Sequence, residues 1–476
     1  MLEIKKNLTG QATVLQRIIQ DKLEWLEKKQ QHLPLQHLQA EVTKSDRCFY
    51  TALTENSDKR PAFILECKKA SPSKGTIRAD FDIEAIAEVY KNYATVISVL
   101  TDEKYFQGNF DFIQQVRKIA QQPILCKDFI LSEYQIYLAR YYQADAVLLM
   151  LSVLDDKHYL RLAELAHSLS MGVLTEVSNQ AELDRAIKLN AKVIGINNRN
   201  LHDLTTDLTR TPPLASQIPT DRIIISESGI YTHQQVRYLQ PYVHGFLVGS
   251  SLMAEQDLVL AVRKLIFGEN KVCGLTLPQN AIDAYQVGAV YGGLIFAEKS
   301  PRKLNLSQAQ EIVAAAPLQY VGVFQNQTVD EISYLAAQLP LVAVQLHGEE
   351  DQAFVDRLRL VLNDACQIWK AVSVNVETVE DFETLQWQYS QVDRYVFDSQ
   401  VGSNQGGTGQ QFDWVRLPQQ DRAKIMLAGG LKLENIRQAV AQNCLGLDIN
   451  SGAEQAVGIK DPIKLKAIFT QILTRQ

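Results

Sequence analysis

Charged and polar side chains end several apolar, β-rich segments in the first half of the chain. They are carboxylates, lysines, an amide, an arginine and a serine, namely Glu66, Lys68, Lys127, Asp128, Glu176, Asn197, Arg199, Glu227 and Ser228. Ionic groups inside apolar strands are costly to bury unless they are paired or used. A structural ion-pair network explains any one of these residues, but the whole set indicates acid–base chemistry.

A thiol and a carboxylate end two segments in the second half. Cys273 lies in KVCGLT and Asp398 in RYVFDS. Placed on opposite sides of a substrate, the two groups can serve as base and acid. Arg302, in KSPRKL, can hold a carboxylate through two parallel hydrogen bonds. His347, at the end of LVAVQLHG, is either a hydrogen-bond partner within the site or a satisfied core histidine.

Glycine- and serine-containing turns follow the last two segments of each half. They are SESGI (226–230) and LVGSS (247–251), then LAGGLKLENI (427–436) and DINSGAE (448–454). Backbone N–H groups exposed where a strand turns into a helix can hold a phosphate dianion. GGTGQQFDW (406–414) is either a surface loop or a place where the backbone approaches a ligand closely. The pattern predicts one phosphate site in each half.

Two rounds of strands and helices must position these residues. The predicted strands of the first half are 61–68, 95–100, 123–129, 145–151, 172–177, 192–198, 222–228 and 244–250. Amphipathic segments such as 82–93 and 159–169 lie between them, with apolar residues at three- and four-residue steps. Strand and helix alternating eight times predicts parallel units that close into a barrel with its site at the carboxyl ends of the strands.

The second half repeats the pattern. Its predicted strands are 271–276, 290–296, 320–324, 341–348, 367–372, 394–399, 424–430 and 445–452. We therefore predict an α/β chain of two consecutive (β/α)8 TIM barrels, with domains at 1–268 and 269–476 and an extra N-terminal helix over 12–29. Two flavodoxin-like domains are the alternative, but they need about five strands each.

Composition excludes several classes of function. The 476 residues carry 48 basic and 54 acidic side chains, with no basic block that would bind nucleic acid or a membrane surface. There is no apolar run long enough to span a membrane and no apolar signal-peptide core, so a cytoplasmic protein is expected. The six cysteines lie far apart in the sequence. We interpret four of them as unreactive core residues, namely Cys67, Cys126, Cys366 and Cys444. No metal-ligand spacing occurs, so we expect neither metal nor cofactor.

The motifs resemble two families of barrel enzymes. ILECKKASPSKG, CKDF, TEVSN, INNRN, ISESGI and LVGSSLM are similar to indole-3-glycerol phosphate synthases. KVCGLT, KSPRKLN, VQLHG, FDS, GGTGQQFDW, LAGGL and DINSGAE are similar to phosphoribosylanthranilate isomerases. The order and the near-complete coverage resemble the fused bifunctional enzymes of tryptophan biosynthesis.

The resemblance implies roles in the isomerase half. In an Amadori rearrangement an acid opens the furanose ring and a base removes the C2′ proton. Asp398 would be the acid, with a raised pKa, and Cys273 the base, a thiol that ionises readily. Arg302 would bind the anthranilate carboxylate. The wider set of substrate- and phosphate-binding residues would be His347, Gly407, Gly429, Gly430, Asp448 and Ser451.

It also implies roles in the synthase half, which closes the indole ring and loses CO2 and water. Lys127 would donate to the carbonyl oxygen, Glu176 would assist the proton transfers, and Lys68 would take part in the dehydration. Either lysine can be the acid, and we expect the acting one to be flanked by cations, with a lowered pKa. The orienting and supporting residues would be Glu66, Asn197, Arg199 and Glu227. The phosphate-binding residues would be Ser71, Ser228, Gly229, Gly249 and Ser250.

Two rival functions remain at this point. An isomerase of another aminosugar phosphate, as in histidine synthesis, would place an aspartate where Cys273 stands. A barrel kept only as a binding module would lack the acid–base residues. The expected partners are therefore phosphorylated anthranilate–sugar substrates, with no nucleic acid and no membrane, and the expected oligomeric state is a monomer.

Overall fold

Two compact units make up the computed structural model, which describes residues 13–55, 60–200, 204–375, 389–401, 404–405, 411–418 and 421–474. The units divide between Val262 and Arg263, within the helix Leu258–Phe267. The predicted domain boundary after residue 268 follows the end of that helix and stays a prediction. Each unit is described by itself below.

The first unit is built on a closed barrel of eight parallel strands. These strands are β1 (Ala62–Cys67), β2 (Val96–Leu100), β3 (Ile124–Lys127), β4 (Ala146–Met150), β5 (Gly172–Val177), β6 (Val193–Asn197), β7 (Ile223–Glu227) and β8 (Gly245–Val248). Strand β1 pairs with both β2 and β8, which closes the ring. The strands are nearly continuous runs of buried residues, as expected where helices cover the outside of a parallel sheet. The eight predicted strands are confirmed.

Helices alternate with these strands. They are α1 (Val14–His32), α2 (Leu35–Glu41), α3 (Phe49–Thr54), α4 (Ile83–Tyr90), α5 (Glu103–Phe106), α6 (Asp111–Ile119), α7 (Glu133–Tyr141), α8 (Asp156–Ser168), α9 (Gln180–Lys188), α10 (Thr211–Ala215), α11 (His233–Leu239), α12 (Ser250–Met253) and α13 (Leu258–Phe267). Most begin at a side chain that accepts a backbone N–H; Asp82, for example, caps α4 through Glu84 and Ala85. The loop after β1 forms a small hairpin of Ala70–Ser71 with Gly75–Thr76.

Helix α1 is the predicted N-terminal helix, and it is anchored to the barrel by a buried lysine. The Nζ atom of Lys22 lies 2.6 Å from Asp102 and 2.7 Å from Asp128. The Trp25 ring stacks on Phe110 with centroids 6.0 Å apart. Because all three charged groups are buried, losing one partner would leave an uncompensated charge. The N-terminal helix is therefore fixed to the carboxyl ends of β2 and β3.

The second unit closes a further ring of eight parallel strands. They are β9 (Lys271–Val272), β10 (Tyr291–Ile295), β11 (Gln319–Phe324), β12 (Leu341–Leu346), β13 (Gln367–Asn375), β14 (Arg394–Val401), β15 (Ile425–Leu427) and β16 (Gly446–Ile449). Strand β9 pairs with β10 and β16, and β13 pairs with β14, so the ring has no open edge. Two closed rings confirm the TIM-barrel prediction and exclude open flavodoxin-like sheets.

The helices of the second unit surround its barrel. They are α14 (Pro278–Val287), α15 (Leu306–Ala315), α16 (Val329–Gln338), α17 (Gln352–Val361), α18 (Ile436–Ala441) and α19 (Pro462–Leu473). After β16, a hairpin pairs Glu454–Ala456 with Ile459–Lys460. Among the residues that the structure describes, no helix has the length and apolar character that a membrane span requires.

Candidate active sites

A cavity opens at the carboxyl ends of the first barrel's strands. The predicted first-half residues that line it are Glu66, Lys68, Ser71, Lys127, Glu176, Asn197, Arg199, Ser228, Gly229, Gly249 and Ser250. Only Glu227 of that predicted set is missing from the lining; it is buried, next to Lys127. Six of the eight strands, β1, β3, β5, β6, β7 and β8, thus deliver these side chains to one place, at their ends or on the loops that follow them.

Two lysines share a carboxylate at the base of this cavity. Lys68, just after β1, has its Nζ atom 2.5 Å from Glu66, and Lys127, at the end of β3, has its Nζ atom 3.5 Å from the same side chain. Lys127 also lies 3.8 Å from Glu227. Burial by itself would raise the pKa of Glu66, but the two ammonium groups outweigh it and lower that pKa. Glu66 is therefore a carboxylate that holds both lysines.

The surroundings of Lys127 differ from the prediction. Burial would lower the pKa of this lysine, but the carboxyl groups of Glu66, Glu227 and Glu176 raise it well above its ordinary range. The expected lysine flanked by cations, with a lowered pKa, is therefore wrong for Lys127. Its ammonium stays protonated, which suits a hydrogen-bond donor to a carbonyl oxygen and a general acid.

Unlike Glu66, the two neighbouring carboxyl groups of Glu176 and Glu227 have raised pKa values. Burial raises the pKa of Glu176, and the ammonium of Lys127 and the amide of Asn197 partly offset the rise. Burial and the charge of Glu176 together raise the pKa of Glu227 from 4.5 to about 8. Neither carboxyl oxygen of Glu227 accepts a hydrogen bond from the described residues. Near neutral pH this site can therefore both give and take protons.

We expect Glu227→Gln to change how stability depends on pH. With a pKa raised from 4.5 to about 8, the native state of the wild type binds a proton that the unfolded state releases, so stability is lost as pH rises through this window. The neutral glutamine removes that loss. In thermal unfolding of the first unit, the Tm of the variant relative to that of the wild type should therefore rise as the pH approaches 8. The expected rise is about 2–4 °C for each kcal/mol of difference in stability. The exposed Glu164→Gln is the control, and a difference that stays constant with pH would contradict the assignment.

The far end of the cavity combines tight turns with hydroxyl groups. Ser228 and Gly229, directly after β7, both have positive φ angles, 68° and 78°. A Cβ atom on Gly249, after β8, would lie 2.5 Å from Oε1 of Glu66, so a larger residue does not fit there. The Nζ atom of Lys68 lies 3.5 Å from Oγ of Ser250. Backbone N–H groups, hydroxyls and an ammonium at one end can receive a phosphate.

The cavity also has an apolar part. Its residues are Leu15 and Ile18 of α1 and, from the barrel, Leu100, Phe106, Phe129, Leu148, Met150 and Leu247. One cavity therefore offers a phosphate end, a charged base and a surface on which an aromatic ring can lie.

Cys273 follows β9 at the mouth of the second barrel. The side chain is 5 % exposed. Burial raises the pKa of its thiol; the ammonium groups of Lys271 and Lys460 counter this effect without overcoming it, and Asp448 adds to it. The expectation of a readily ionised thiol is therefore wrong, because burial outweighs the neighbouring cations.

Asp398 in β14 and His347 after β12 face each other. The Nε2 atom of His347 lies 3.3 Å from Oδ2 of Asp398, and the backbone N–H of Ser399 donates to Oδ1 over 2.8 Å. This geometry favours the hydrogen-bond partner over the core-packing interpretation of His347. A histidine in this position can fix the orientation of the carboxyl group.

Arg302 is held by a glutamate that the sequence did not single out. Its Nε and Nη2 atoms donate to the two carboxyl oxygens of Glu454 over 2.8 and 2.7 Å. Lys460 binds the same carboxylate over 2.9 Å, and hydrogen bonds and charges from both cations lower the pKa of Glu454 to about 2, against the effect of burial. The edge of the guanidinium that carries Nε is thus occupied by Glu454. Binding of a substrate carboxylate by its other edge stays a prediction.

The predicted phosphate-binding residues of the second half fall into three groups. Gly429 and Gly430, after β15, have positive φ angles of 83° and 62°, and Ser451 begins a short 3-10 helix after β16. Gly407 lies outside the described residues. Asp448 differs from its prediction: its Oδ2 atom accepts a hydrogen bond from Lys271 over 2.7 Å, and a carboxylate repels a phosphate dianion.

Sequence reasoning missed four buried polar or charged side chains of this site, namely Lys271, Gln345, Glu454 and Lys460. Lys271 had a signal, because a lysine two positions before Cys273 points to the same face of the strand. Gln345 lies 74 positions from Lys271 and Glu454 lies 152 positions from Arg302, whereas Lys460 is only six positions from Glu454. Within the part of the chain that the structure describes, no group of three or more His, Cys, Asp or Glu side chains could hold a metal ion.

The chain is similar to known proteins over almost its whole length. The model of the indole-3-glycerol phosphate synthase family matches residues 15–265, and that of N-(5′-phosphoribosyl)anthranilate isomerase matches residues 270–471. The tryptophan biosynthesis protein TrpCF of Haemophilus influenzae is 58% identical over 97% of this chain and 97% of its own length. The TrpCF protein of Vibrio cholerae is 56% identical over 97% and 96%. A solved phosphoribosylanthranilate isomerase from Thermotoga maritima is 28% identical, with a TM-score of 0.37, over 43% of this chain and 98% of its own.

Proposed function

This chain belongs to the family of fused indole-3-glycerol phosphate synthases and phosphoribosylanthranilate isomerases, and we propose how its residues divide the work of the two reactions. It is a bifunctional enzyme of tryptophan biosynthesis that acts on phosphorylated substrates. The isomerase converts N-(5-phosphoribosyl)anthranilate to carboxyphenylamino-deoxyribulose 5-phosphate, and the synthase turns that product into indole-3-glycerol phosphate. We place the domain boundary after residue 268, because Leu258–Phe267 is one continuous helix.

In the isomerase half, the proposal gives the acid–base work to Asp398 and Cys273. The Asp398 carboxyl protonates the furanose oxygen, the C1′–O bond breaks, and an iminium ion forms. Cys273 as thiolate then takes the C2′ proton and becomes a thiol, and the resulting enolamine tautomerises to the ketone. His347 keeps the Asp398 carboxyl in place, and the free edge of Arg302 binds the anthranilate carboxylate.

In the synthase half, the proposal makes Lys127 the main acid. Its ammonium donates to the C2′ carbonyl oxygen while the anthranilate ring carbon attacks; CO2 then leaves and the new hydroxyl departs as water. Lys68 is close enough to Ser250 to serve both the phosphate end and the dehydration. Glu176, with a raised pKa, passes protons, and Glu66, Asn197, Arg199 and Glu227 hold this set in place.

One observation carries the synthase assignment. A single cavity contains apolar residues, the two lysines and the turns suited to phosphate, which are the groups that the aromatic ring, the carbonyl and the phosphate of the substrate require. An unused binding module gives no reason for a buried Lys127 among three carboxyl groups, since burying such charges is costly.

The test is to supply purified protein with phosphoribosylanthranilate, without metal or nucleotide, and to identify the products by mass spectrometry. Indole-3-glycerol phosphate is the expected product. If carboxyphenylamino-deoxyribulose phosphate accumulates alone, the synthase roles fail. If phosphoribosylanthranilate disappears no faster than it decays by itself, the isomerase roles fail, and an aminosugar phosphate of histidine synthesis becomes the substrate to try.

The proposal includes a cytoplasmic location and a monomer. The six cysteines, all among the described residues, form no disulfide, which suits a reducing compartment, and the phosphorylated substrates are products of intracellular metabolism. Each barrel mouth is built from one copy of the chain, so neither site needs a second copy. Light scattering with size-exclusion chromatography tests the oligomeric state.

A further inference from the structure

A fully buried lysine lies beneath the isomerase mouth. Lys271, the first residue of β9, has 0% of its surface exposed. Its Nζ atom donates to Oδ2 of Asp448 over 2.7 Å and to Oε1 of Gln345 over 3.0 Å. These contacts tie it to β16 and β12, on two sides of the barrel, so the ammonium is held at a fixed point in the interior.

That point is directly below the Cys273 side chain. A Cβ atom on Gly293, in β10, would lie 2.6 Å from Sγ of Cys273 and 3.0 Å from Cε of Lys271. The two side chains therefore share the space that this glycine leaves open, and the Lys271 ammonium acts to lower the pKa of the thiol, against the effect of burial. Cys273 also packs against the apolar side chains of Ile295, Ala297 and Val323.

The charged groups around Cys273 come from several elements. The cations are Lys271 in β9, Arg302 after β10 and Lys460 in the hairpin after β16. The carboxylates are Asp448, which pairs with Lys271, and Glu454, which pairs with both other cations. Asp398 and His347 pair with each other, and the hydroxyl of Tyr291 in β10 turns to Glu269. Of the three cations, Lys271 is the one whose side chain shares the gap at Gly293 with Sγ of Cys273.

We propose that Lys271 is a positioning residue of the isomerase, whose ammonium, fixed by Asp448 and Gln345, stabilises the thiolate form of Cys273. Lys271 does not touch the substrate, because it lies below Cys273 in the barrel interior. It acts by offsetting the cost of ionising a thiol in an apolar place. The proposal rests on the role proposed above for Cys273 as the base.

Opposite substitutions in the pair test the proposal. In Lys271→Met the cation is lost, so the pH at which Cys273 becomes reactive to iodoacetamide should rise by about one unit or more, a tenfold loss of thiolate near neutral pH. In Asp448→Asn the competing carboxylate is lost, so this pH should fall. Mass spectrometry of the Cys273 peptide gives the rates, and the exposed Cys48, in the first unit, is the internal control whose profile should not change.

Two results overturn the proposal: shifts of the same direction in both variants, or no shift in either. If Lys271→Met does not fold, as judged by circular dichroism, Asp448→Asn still decides by the direction of its shift, and Lys271→Arg should keep the wild-type profile. Turnover of phosphoribosylanthranilate by Lys271→Met should lose kcat with KM little changed. Persistence of isomerase activity in Cys273→Ala would instead defeat the base assignment, while the alkylation shifts would stand.

Discussion

Cys273→Ala should lower the turnover of phosphoribosylanthranilate by about 10³-fold while the synthase keeps its rate. A positioned general base contributes roughly 10²–10⁴-fold, and in the proposed mechanism no other described group touches the C2′ proton. The second barrel should still fold, because alanine leaves only a small gap at the end of β9. The measurement is kcat on phosphoribosylanthranilate beside kcat on carboxyphenylamino-deoxyribulose phosphate.

Cys366→Ala is the matched control, since Cys366 is also buried in the second unit but packs in its core. It should cost stability and leave kcat close to the wild-type value. If Cys273→Ala keeps more than about a tenth of the wild-type turnover, the base lies elsewhere.

Lys127→Met should remove synthase activity by about 10³-fold or more and leave the isomerase intact. Methionine keeps most of the volume but neither the proton nor the charge that the carbonyl oxygen needs. The loss should appear in kcat on carboxyphenylamino-deoxyribulose phosphate. A second signature follows from Glu66, Glu176 and Glu227: without the ammonium they are left as buried carboxylates. Their pKa values should rise, so the stability of the variant should fall more steeply than that of the wild type as pH rises from 5 to 8.

Lys91→Met supplies the comparison, because Lys91 also pairs with a glutamate, Glu88, but on the surface. Surface pairs contribute little, so neither activity nor the slope of stability with pH should change. Synthase turnover that survives Lys127→Met would transfer the acid role to Lys68.

The sequence pattern was sufficient for the architecture. Each buried parallel strand is a short apolar run, and most of the described segments between runs contain a helix, so the count of eight could be read twice along the chain. Helix α1 was visible for the same reason, through its periodicity over 12–29. What the pattern did not contain was its anchor, since nothing local to Lys22 indicates that Asp102 and Asp128 enclose it.

The sequence was sufficient to predict which side chains meet at the carboxyl ends of the strands. Because carboxyl ends of barrel strands converge, Glu66, Lys127 and Glu176 could be expected together without knowing their distances. Which group pairs with which depends on the closed ring and on residues far apart in sequence. Glu454, which occupies one edge of Arg302, is 152 positions away from it.

The protonation states were the least predictable part. They depend on a balance between burial and several charges, each sensitive to distances of a few ångströms. For Lys127 three carboxyl groups decide the balance, and for Cys273 burial does. A sequence motif identifies the titrating group, but it does not show which charged side chains lie near that group in the fold.

The anchor of α1 has a consequence for synthesis on the ribosome. Lys22 is translated about 100 residues before Asp128, which at about 5–20 residues per second is roughly 5–20 s. During that interval the helix has an apolar face and a lysine without its two carboxylates. The nascent chain is therefore expected to expose a binding surface for a chaperone, and to lose it once β2 and β3 emerge.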